Sequence, residues 1–120
     1  MSLLTILRPA TVQDCQAIHN AHLHAAQFAC IRSYDENVLQ AWEALLDTES
    51  YRHTIDDPDK ALWVVEYKGA IRGFFQVDFK EAQLDALYVH PIFHNQGLGT
   101  ALLRRAEELA HHAGLSFLKL

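Results

Sequence analysis

The chain has 120 residues, half of them hydrophobic, and its 10 Lys and Arg against 15 Asp and Glu give a formal net charge of −5. This length and composition predict one compact domain spanning residues 1–120, with a hydrophobic core of its own. The negative charge excludes the basic surface that nucleic acid or an anionic membrane requires, and it favours an amine or another cationic partner.

The N-terminal residues and the cysteines indicate a cellular compartment. The opening stretch MSLLTILRPAT contains no sustained apolar run, which predicts neither a signal peptide nor a membrane span. Cys15 and Cys30 fall on one predicted helical stretch, too far apart along it to bridge, and are expected to be free thiols. Because free thiols are typical of a reducing compartment, we expect a cytoplasmic protein.

The N-terminal pattern predicts a strand followed by a helix. A weak alternation rich in branched residues predicts the strand at about residues 3–8. Thr11 followed by Asp14 is close to a capping box, with Asp in the usual Glu or Gln role. The following CQAIHNAHLHAAQFA repeats apolar residues at helical spacing, so the helix is expected to begin here.

The central part of the chain is expected to contain a helix, a loop and a hairpin. The second helix should begin after Ser33 or Asp35 and reach about Leu46. Polar residues dominate from residue 47 to residue 60, with DDPD as the clearest loop signal. Two strands are then predicted within ALWVVEYKGAIRGFFQVDF, joined by a short turn around residues 67–69.

The C-terminal part is predicted to form a strand, a helix and a final strand. QLDALYVHP should be a strand ending at Pro91, and a helix should run from Gly97 to a stop at Gly114, before a last strand in LSFLKL. The predicted order β-α-α-β-β-β-α-β is that of an α/β layer protein. The helix is expected to bury one face, made of Leu98, Leu102, Ala106, Leu109 and Ala113.

Two glycines, Gly97 and Gly99, lie after a predicted strand and open a predicted helix. The first amides of a helix are unpaired donors at the positive end of the helix dipole, and glycine allows a ligand to approach them, which suggests an anion site. A tight strand-to-helix turn explains the same residues. Leu102 occupies the place of the third glycine in a dinucleotide fingerprint, and no Gly-Lys-Ser/Thr of a Walker loop is present.

These residues resemble the acetyl-CoA signature of the GNAT superfamily of N-acetyltransferases. The resemblance is carried by the runs LYVHP (87–91) and GLGTALL (97–103) with Phe93 between them, and it extends to RPAT with Asp14 and to the hairpin between Gly69 and Gly73. It therefore covers essentially the whole chain, and it implies a mixed, mostly antiparallel central sheet flanked by helices. Family members usually carry Arg or Gln at the position of His94, which is a departure.

The resemblance implies that acetyl-CoA is bound as co-substrate. The amides of residues 96–100 would surround the pyrophosphate, and the strand at residues 87–89 would pair with the pantetheine arm. A bulge in that strand would aim an amide near Leu87 or Tyr88 at the thioester oxygen, which makes Leu87 a candidate catalytic residue. The expected CoA-binding residues are Leu87, Tyr88, Val89, His94, Asn95, Gln96, Gly97, Leu98, Gly99 and Thr100.

The acceptor amine must lose a proton before it attacks the thioester, so a base is required. Strict alternation along the strand places Gln83 and Asp85 on the face opposite Leu84 and Ala86. Family members that use a glutamate base tend to hold it at the position of Gln83, where glutamine cannot serve. Asp85 is then the candidate base, with Glu81 further away; the alternative is that Asp85 is an ordinary polar strand residue.

The C-terminus departs from the family pattern. GNAT domains usually continue with a further helix, which often carries a tyrosine that protonates the leaving thiolate, and two more strands, whereas this chain ends at Leu120. An apolar terminal strand would leave an open sheet edge. We expect a second copy of the chain to cover it through residues 115–120, which gives a homodimer.

The expected function is transfer of an acetyl group from acetyl-CoA to a primary amine of a small molecule or protein. The alternative is a catalytically silent acyl-CoA-binding or assembly module, which Gln83 and the short C-terminus favour. In the family, the first two helices form one wall of the acceptor site, a segment that here contains Arg32, Tyr34 and Trp42.

Eight histidines raise the question of a metal site. His19 and His22 share one helix face, but no set of cysteines or carboxylates accompanies them, so no metal is predicted. Solvent-exposed helix histidines are the simpler interpretation. Arg104 and Arg105 are also expected to be solvent-exposed, with a contact to a CoA phosphate as the alternative.

Overall fold

The computed structural model describes residues 5–30, 48–93 and 96–119, and for residues 24–30 and 48 it describes the backbone only. The helix expected after Ser33 or Asp35, together with Arg32, Tyr34 and Trp42, lies outside these residues. The elements are strands β1 (Thr5–Pro9), β2 (Lys60–Tyr67), β3 (Ala70–Asp78) and β4 (Gln83–Val89), and helices α1 (Cys15–Cys30), α2 (Thr48–Asp56) and α3 (Leu98–His112).

The four strands form one antiparallel sheet in the order β1-β2-β3-β4. The predicted hairpin joins β2 to β3, and both of its turn residues, Lys68 and Gly69, have positive φ angles of 54° and 82°. A two-residue turn of this type matches the twist of the strands that it connects. The α/β fold with a mostly antiparallel sheet flanked by helices is therefore confirmed.

Side chains alternate across the central strands, so the sheet has two buried faces. Val64 and Phe74 pack towards α1 and α2, whereas Val65 and Phe75 pack towards α3, and all four are fully buried. Two core clusters result, one on each side of the sheet. The helices thus cover both faces and leave the edges of the sheet as the places where a ligand can add to it.

The alternation along β4 is interrupted by a bulge. Gln76 on β3 is opposite Ala86, but the next residue, Val77, is opposite Leu84, so Asp85 has no partner. As a result Leu84 packs on the α3 side and Ala86 on the opposite side. The prediction that Leu84 and Ala86 share a face was wrong, because one extra residue reverses the direction of the side chains that follow it.

The predicted loop at residues 47–60 contains a helix, α2. Only its C-terminal part matches the prediction, since DDPD begins as the helix ends at Asp56. The helix was missed because it buries few residues, chiefly Tyr51 and Thr54, against the sheet and α1. An otherwise polar nine-residue segment gives a weak apolar periodicity, and the helix depends on tertiary packing.

Helix α3 and its C-terminal stop follow the prediction closely. Gly114 has a φ of 85°, and its amide donates to the His111 carbonyl oxygen at 3.0 Å, while the Leu115 amide donates to that of Ala110, also at 3.0 Å. Leu109 is half-buried, whereas Ala113 is exposed because the helix has already ended. The buried row is Leu98, Leu102, Ala106 and Ala110.

The predicted final strand is present only as a single bridge in the described residues. Lys119 lies beside Gln83 in the parallel direction, donates to the Ala82 carbonyl oxygen at 2.7 Å and accepts from the Leu84 amide at 2.8 Å. The remainder of LSFLKL that the structure describes is not paired as a strand. The segment therefore touches the first residues of β4 and leaves the rest of that edge uncovered by any described strand.

A buried ion pair fixes the junction between β1 and α1. Asp14 is 8% exposed, and its two carboxylate oxygens accept from the Arg8 guanidinium at 2.7 and 3.0 Å. The same carboxylate accepts from the Thr11 amide at 2.7 Å, which confirms the predicted capping contact. The Arg8 hydrogen bonds are the largest cause of a pKa of about 2 for Asp14.

Replacing Asp14 with Asn is expected to lower the free energy of unfolding by about 2 kcal/mol at neutral pH. Since the Asp14 pKa is lower in the folded state than in the unfolded chain, this contribution is present above about pH 4 and disappears as the pH falls through about 2. Urea unfolding of both proteins at neutral pH and at about pH 3 should therefore give a smaller difference at the acid end. A constant difference would mean that the charge of Asp14 is not the stabilising feature.

Candidate functional site

The two glycines of the predicted anion site lie at the start of α3. Gly97 directly precedes the helix, has a φ of 77° and is exposed, and a Cβ built on it would meet nothing within 4 Å. At Gly99, inside the helix, a Cβ would meet only the Val89 side chain, at an ordinary 3.7 Å. The backbone conformation explains Gly97. Neither conformation nor packing requires a glycine at position 99, so the strand-to-helix turn alone does not account for the pair.

The start of α3 offers backbone donors that have no partner within the helix. The first intrahelical bond runs from the Ala101 amide to the Gly97 carbonyl oxygen at 3.1 Å, so the amides of residues 98–100 precede the helical ladder. Leu98 is 2% exposed and anchors this end of the helix in the core. Together with the positive end of the helix dipole, these donors are suited to a phosphate group.

The β2–β3 hairpin supports the loop that leads into α3. The Tyr67 hydroxyl donates to Gln96 Oε1 at 3.3 Å, and the Gln96 amide donates to the Phe93 carbonyl oxygen at 3.3 Å. The Phe93 ring packs edge-on against Tyr67 and against His90, with 5.7 Å between centroids in each pair. The loop is thus attached to the α3 side of the sheet, where Tyr67 and Phe93 pack in the same cluster as Leu98.

The predicted binding strand at residues 87–89 pairs with β3 along one edge. Gly73 permits this pairing to be close, because a Cβ there would lie 2.5 Å from the Tyr88 carbonyl oxygen. On the other edge, the C-terminal segment reaches β4 only at Gln83, and no further strand of the described residues pairs with it. The outer edge at 87–89 is therefore open to an extended ligand.

A cavity of about 420 Å³ lies between α1, α2 and the sheet, and it is lined in part by His22, Tyr51, Thr54 and Gln76. His22 Nδ1 is 2.8 Å from the Tyr51 hydroxyl, and the His22 ring lies 4.7 Å from that of Tyr88 on β4. Burial, followed by the nearby His19, lowers the pKa of His22, so its imidazole is neutral at physiological pH.

His22 is a residue whose place the sequence did not reveal. It was interpreted as a solvent-exposed helix histidine, but it is half-buried and packs on Phe74 with 5.6 Å between the ring centroids. The available signal was its position four residues after Ile18, which is fully buried on the same helix face. That spacing places His22 over the sheet.

Asp85, the predicted base, is exposed and occupies the bulge of β4. Its Oδ2 lies 3.4 Å from the Nε2 atom of Gln76, which lines the cavity. The structure therefore puts Asp85 next to a wall of this cavity. Leu87, the other predicted catalytic residue, is half-buried two positions further along the same strand.

The structure brings most of the predicted CoA-binding residues together. Val89, at the end of β4, is the neighbour of Gly99, and Thr100 is exposed in the first turn of α3. The strand end and the helix start thus form one continuous surface. His94 and Asn95 lie outside the described residues.

A second cavity, of about 440 Å³, lies between α3 and the C-terminal segment. Its walls include Leu103, Ala110 and Leu118. Phe117, which also lines it, is 65% exposed. Apolar side chains thus form most of the lining of this cavity.

Several other sequence features are ordinary structural groups. Arg105 pairs with Glu108 at 3.4 Å and lies over the Trp63 ring, whereas Arg104 is exposed. Within residues 5–30, 48–93 and 96–119, no group of three His, Cys, Asp or Glu side chains is arranged to hold a metal ion. None of the helices described is both long enough and apolar enough to cross a membrane.

Comparisons with known proteins agree on one family. The sequence model of the acetyltransferase (GNAT) domain matches residues 30–120. Among proteins with curated descriptions, none matches the sequence. Because the family model covers most of the chain, the protein belongs to the GNAT family of acetyltransferases.

Solved structures of the same family share the fold. The PaiA N-acetyltransferase of Thermoplasma acidophilum, in complex with coenzyme A, is 18% identical with a TM-score of 0.85, and the match covers 96% of this chain and 76% of that one. A GCN5-related N-acetyltransferase from Rhodopseudomonas palustris is 22% identical with a TM-score of 0.76, and the match covers 95% of this chain and 70% of that one. A putative GNAT acetyltransferase from Staphylococcus aureus is 17% identical (TM-score 0.68), with 95% and 98% of the two chains covered.

Replacing Gly97 with Val is expected to weaken CoA binding by more than about tenfold, or roughly 1.4 kcal/mol, because the side chain would occupy the open space at the start of α3. The positive φ adds a backbone strain of about 1–2 kcal/mol. The measurement is a calorimetric titration of CoA into the folded variant.

Gly114→Val is the matched control. Gly114 is also exposed, also has a positive φ and has nothing within 4 Å of a Cβ, but it lies at the other end of the same helix. The two variants should lose similar stability, and only Gly97→Val should lose CoA affinity. Equal CoA affinity in the two variants would exclude the glycine loop as the phosphate site.

Proposed function

We propose that the protein transfers the acetyl group of acetyl-CoA to a primary amine of a small molecule or protein. The observation that carries the proposal is the open helix start at Gly97 and Gly99, next to the outer edge of β4 at residues 87–89, which no described strand covers. Membership of the GNAT family and the coenzyme A bound by the Thermoplasma acidophilum enzyme support this choice of donor.

The residues present fit coenzyme A. The space above Gly97 and Gly99 would be filled by larger side chains, and the amides of residues 98–100 are the donors that a pyrophosphate needs. Gln96 and Thr100 flank these amides, and the family signature adds His94 and Asn95. The pantetheine arm would pair with the outer edge of residues 87–89 as an added strand.

Within this proposal, two groups of β4 act on the reacting atoms. The amide at Leu87 donates to the thioester oxygen as negative charge develops on it, which is worth on the order of 3 kcal/mol for a well-placed donor. Asp85 accepts a proton from the acceptor ammonium, directly or through a water, and the neutral amine then attacks the thioester carbon. CoA leaves as its thiolate, which is neutralised by the second proton that the amine nitrogen loses. Asp85, the bulge residue, precedes Leu87 by two positions, so both groups lie on the same short stretch of strand.

The cavity beside Gln76 is the proposed site of the acceptor. Its volume of about 420 Å³ suits a small molecule or one side chain of a protein. Asp57 and Lys60 on its wall offset each other in charge, so the carboxylate of Asp85 beside it favours a cationic group, and the neutral His22 does not oppose one. The acceptor would thus approach the thioester from the α1 and α2 side of the sheet.

A catalytically silent acyl-CoA-binding module is the second candidate. It is favoured by Gln83 at the usual base position and by the exposure of Asp85, whose side-chain hydrogen bond to Gln76 is long and is the only one it forms with the described residues. Titration with CoA followed by thiol-release assays across a panel of amines separates the two functions. Binding with turnover supports the transferase, binding without turnover supports the module, and no binding excludes both.

Asp85→Asn is expected to lower kcat by roughly 10- to 1000-fold, because Asn cannot accept the proton of the ammonium. The KM for acetyl-CoA should change little, since the residue acts on the amine. Glu81→Gln, which removes an exposed carboxylate before the same strand, should retain activity. An Asp85→Asn enzyme with unchanged kcat and pH profile would contradict the role of Asp85; loss of activity in Glu81→Gln would transfer that role to Glu81.

We also propose that the protein is a cytoplasmic homodimer in which residues 115–120 meet their counterparts. The exposed Phe117 and the apolar cavity beneath it support the dimer. Two copies related by a two-fold axis would bury the same surface on both chains. The expected free thiols support the location: Cys15 is buried without a disulfide, and Cys30 is at the other end of α1, roughly 22 Å away along a helix of this length.

Light scattering at micromolar concentration should give the mass of a dimer for the wild type and that of a monomer for Phe117→Asp, because a charge would be buried in the interface. Ile6→Asp is the control, since Ile6 is also an exposed apolar residue, at 49%, but lies on β1. This variant should remain a dimer. A monomeric wild type would refute the proposed pairing.

A further inference from the structure

The loop between β4 and α3 contains no permanent cation. From Pro91 to Thr100 the sequence is PIFHNQGLGT, and His94 is its only basic residue. Backbone amides bind an anion through partial charges, but a donor such as coenzyme A carries several phosphate charges that are best met by a guanidinium or an ammonium group. A cation from elsewhere in the fold would complete such a site.

Arg72, on β3, is in contact with this loop. Its guanidinium carbon lies 4.4 Å from the centroid of the Phe93 ring, directly before His94 in the sequence. Its backbone carbonyl oxygen accepts from the His90 amide at 2.7 Å. The side chain and the backbone of Arg72 thus both touch the segment that leads to the glycines.

The hydrogen bonds of Arg72 leave most of its donors unused. Nε donates to the Tyr67 carbonyl oxygen at 3.0 Å, and no other hydrogen bond of the side chain is present in the described part of the chain. A guanidinium has five donors in a planar fork, so its terminal nitrogens remain available. The stacking on Phe93 and the bond to Tyr67 fix the plane of the group and lower the entropy lost on binding a ligand.

Arg72 also has no counter-ion among the residues that the structure describes. Arg8, Arg52 and Arg105 are each paired with a carboxylate, whereas Arg72 forms no ion pair with any residue that the structure describes. It is half-buried, in a chain with a net charge of −5. An oriented guanidinium without a described ion pair, on the segment that leads to an open helix start, is the arrangement expected for an anion ligand.

We propose that the Arg72 guanidinium binds a phosphate group of the acyl-CoA donor and supplies the permanent positive charge that the loop lacks. The inference rests on the proposed function, because it takes the helix start as the place of the pyrophosphate. It adds a ligand from the β2–β3 hairpin, outside the signature. The phosphate is either in the pyrophosphate or at the 3′ position of the ribose, and both offer the same oxyanion chemistry.

The test is calorimetric titration of coenzyme A and of dephospho-coenzyme A, at low and high salt, into wild type, Arg72→Met and Arg72→Lys. Arg72→Met should weaken coenzyme A binding by about tenfold or more and flatten its salt dependence. Arg72→Lys should bind with intermediate affinity and keep the salt dependence. Lys80→Met removes the same charge from an exposed position in the β3–β4 turn and should bind as the wild type does.

The two ligands identify the phosphate. If Arg72→Met loses as much affinity for dephospho-coenzyme A as for coenzyme A, Arg72 binds the pyrophosphate; if the loss is confined to coenzyme A, it binds the 3′-phosphate. Unchanged affinity of Arg72→Met, or weaker binding with an unaltered salt dependence, would overturn the proposal, since a role in packing alone does not change the number of charges neutralised. Should Arg72→Met not fold, Arg72→Gln provides the same comparison. A wild type that binds neither ligand would instead refute the proposed function.

Discussion

The site depends on how closely β4 approaches β3 at Gly73. A Cβ at this position would lie 2.5 Å from the Tyr88 carbonyl oxygen and 3.3 Å from side-chain atoms of Leu102 and Val65. A backbone oxygen cannot move aside as the end of a flexible side chain can, so any larger residue would displace β4 from the sheet. The proposed catalytic groups, Asp85 and the Leu87 amide, lie on β4, and the proposed phosphate site follows it in the chain. Their positions therefore depend on this contact.

The bulge at Asp85 divides β4 into two functional parts. Before it, Gln83 and Leu84 pair with the C-terminal segment on the outer edge. After it, that edge is free of described strands, Leu87 faces α3 and Tyr88 faces His22. One extra residue thus separates the part of β4 that is paired on both edges from the part that, within the described residues, is paired with β3 alone.

The electrostatics of the two sides of β4 suit two different ligands. On the α3 side, helix amides and the Arg72 guanidinium provide positive potential in a protein that is negative overall. On the α1 and α2 side, Asp57 and Lys60 offset each other on the wall of the cavity, Asp85 adds a carboxylate beside it, and burial keeps His22 neutral. A polyanionic donor and a cationic acceptor are therefore each expected on the side whose charge attracts them.

The sequence alone determined the elements that local pattern specifies. The hairpin at Lys68 and Gly69, the capping contact of Asp14, and the start and stop of α3 all follow from residues close together in the chain, where turn and cap chemistry acts. The family signature likewise lies within one short run, so membership of the GNAT family was recognisable. Only the tertiary structure decided what depends on distant residues. The helix around Tyr51, the bulge at Asp85, the half-buried position of His22 and the contact of Arg72 with the loop are its contributions. Each results from packing against another element, which no local pattern encodes.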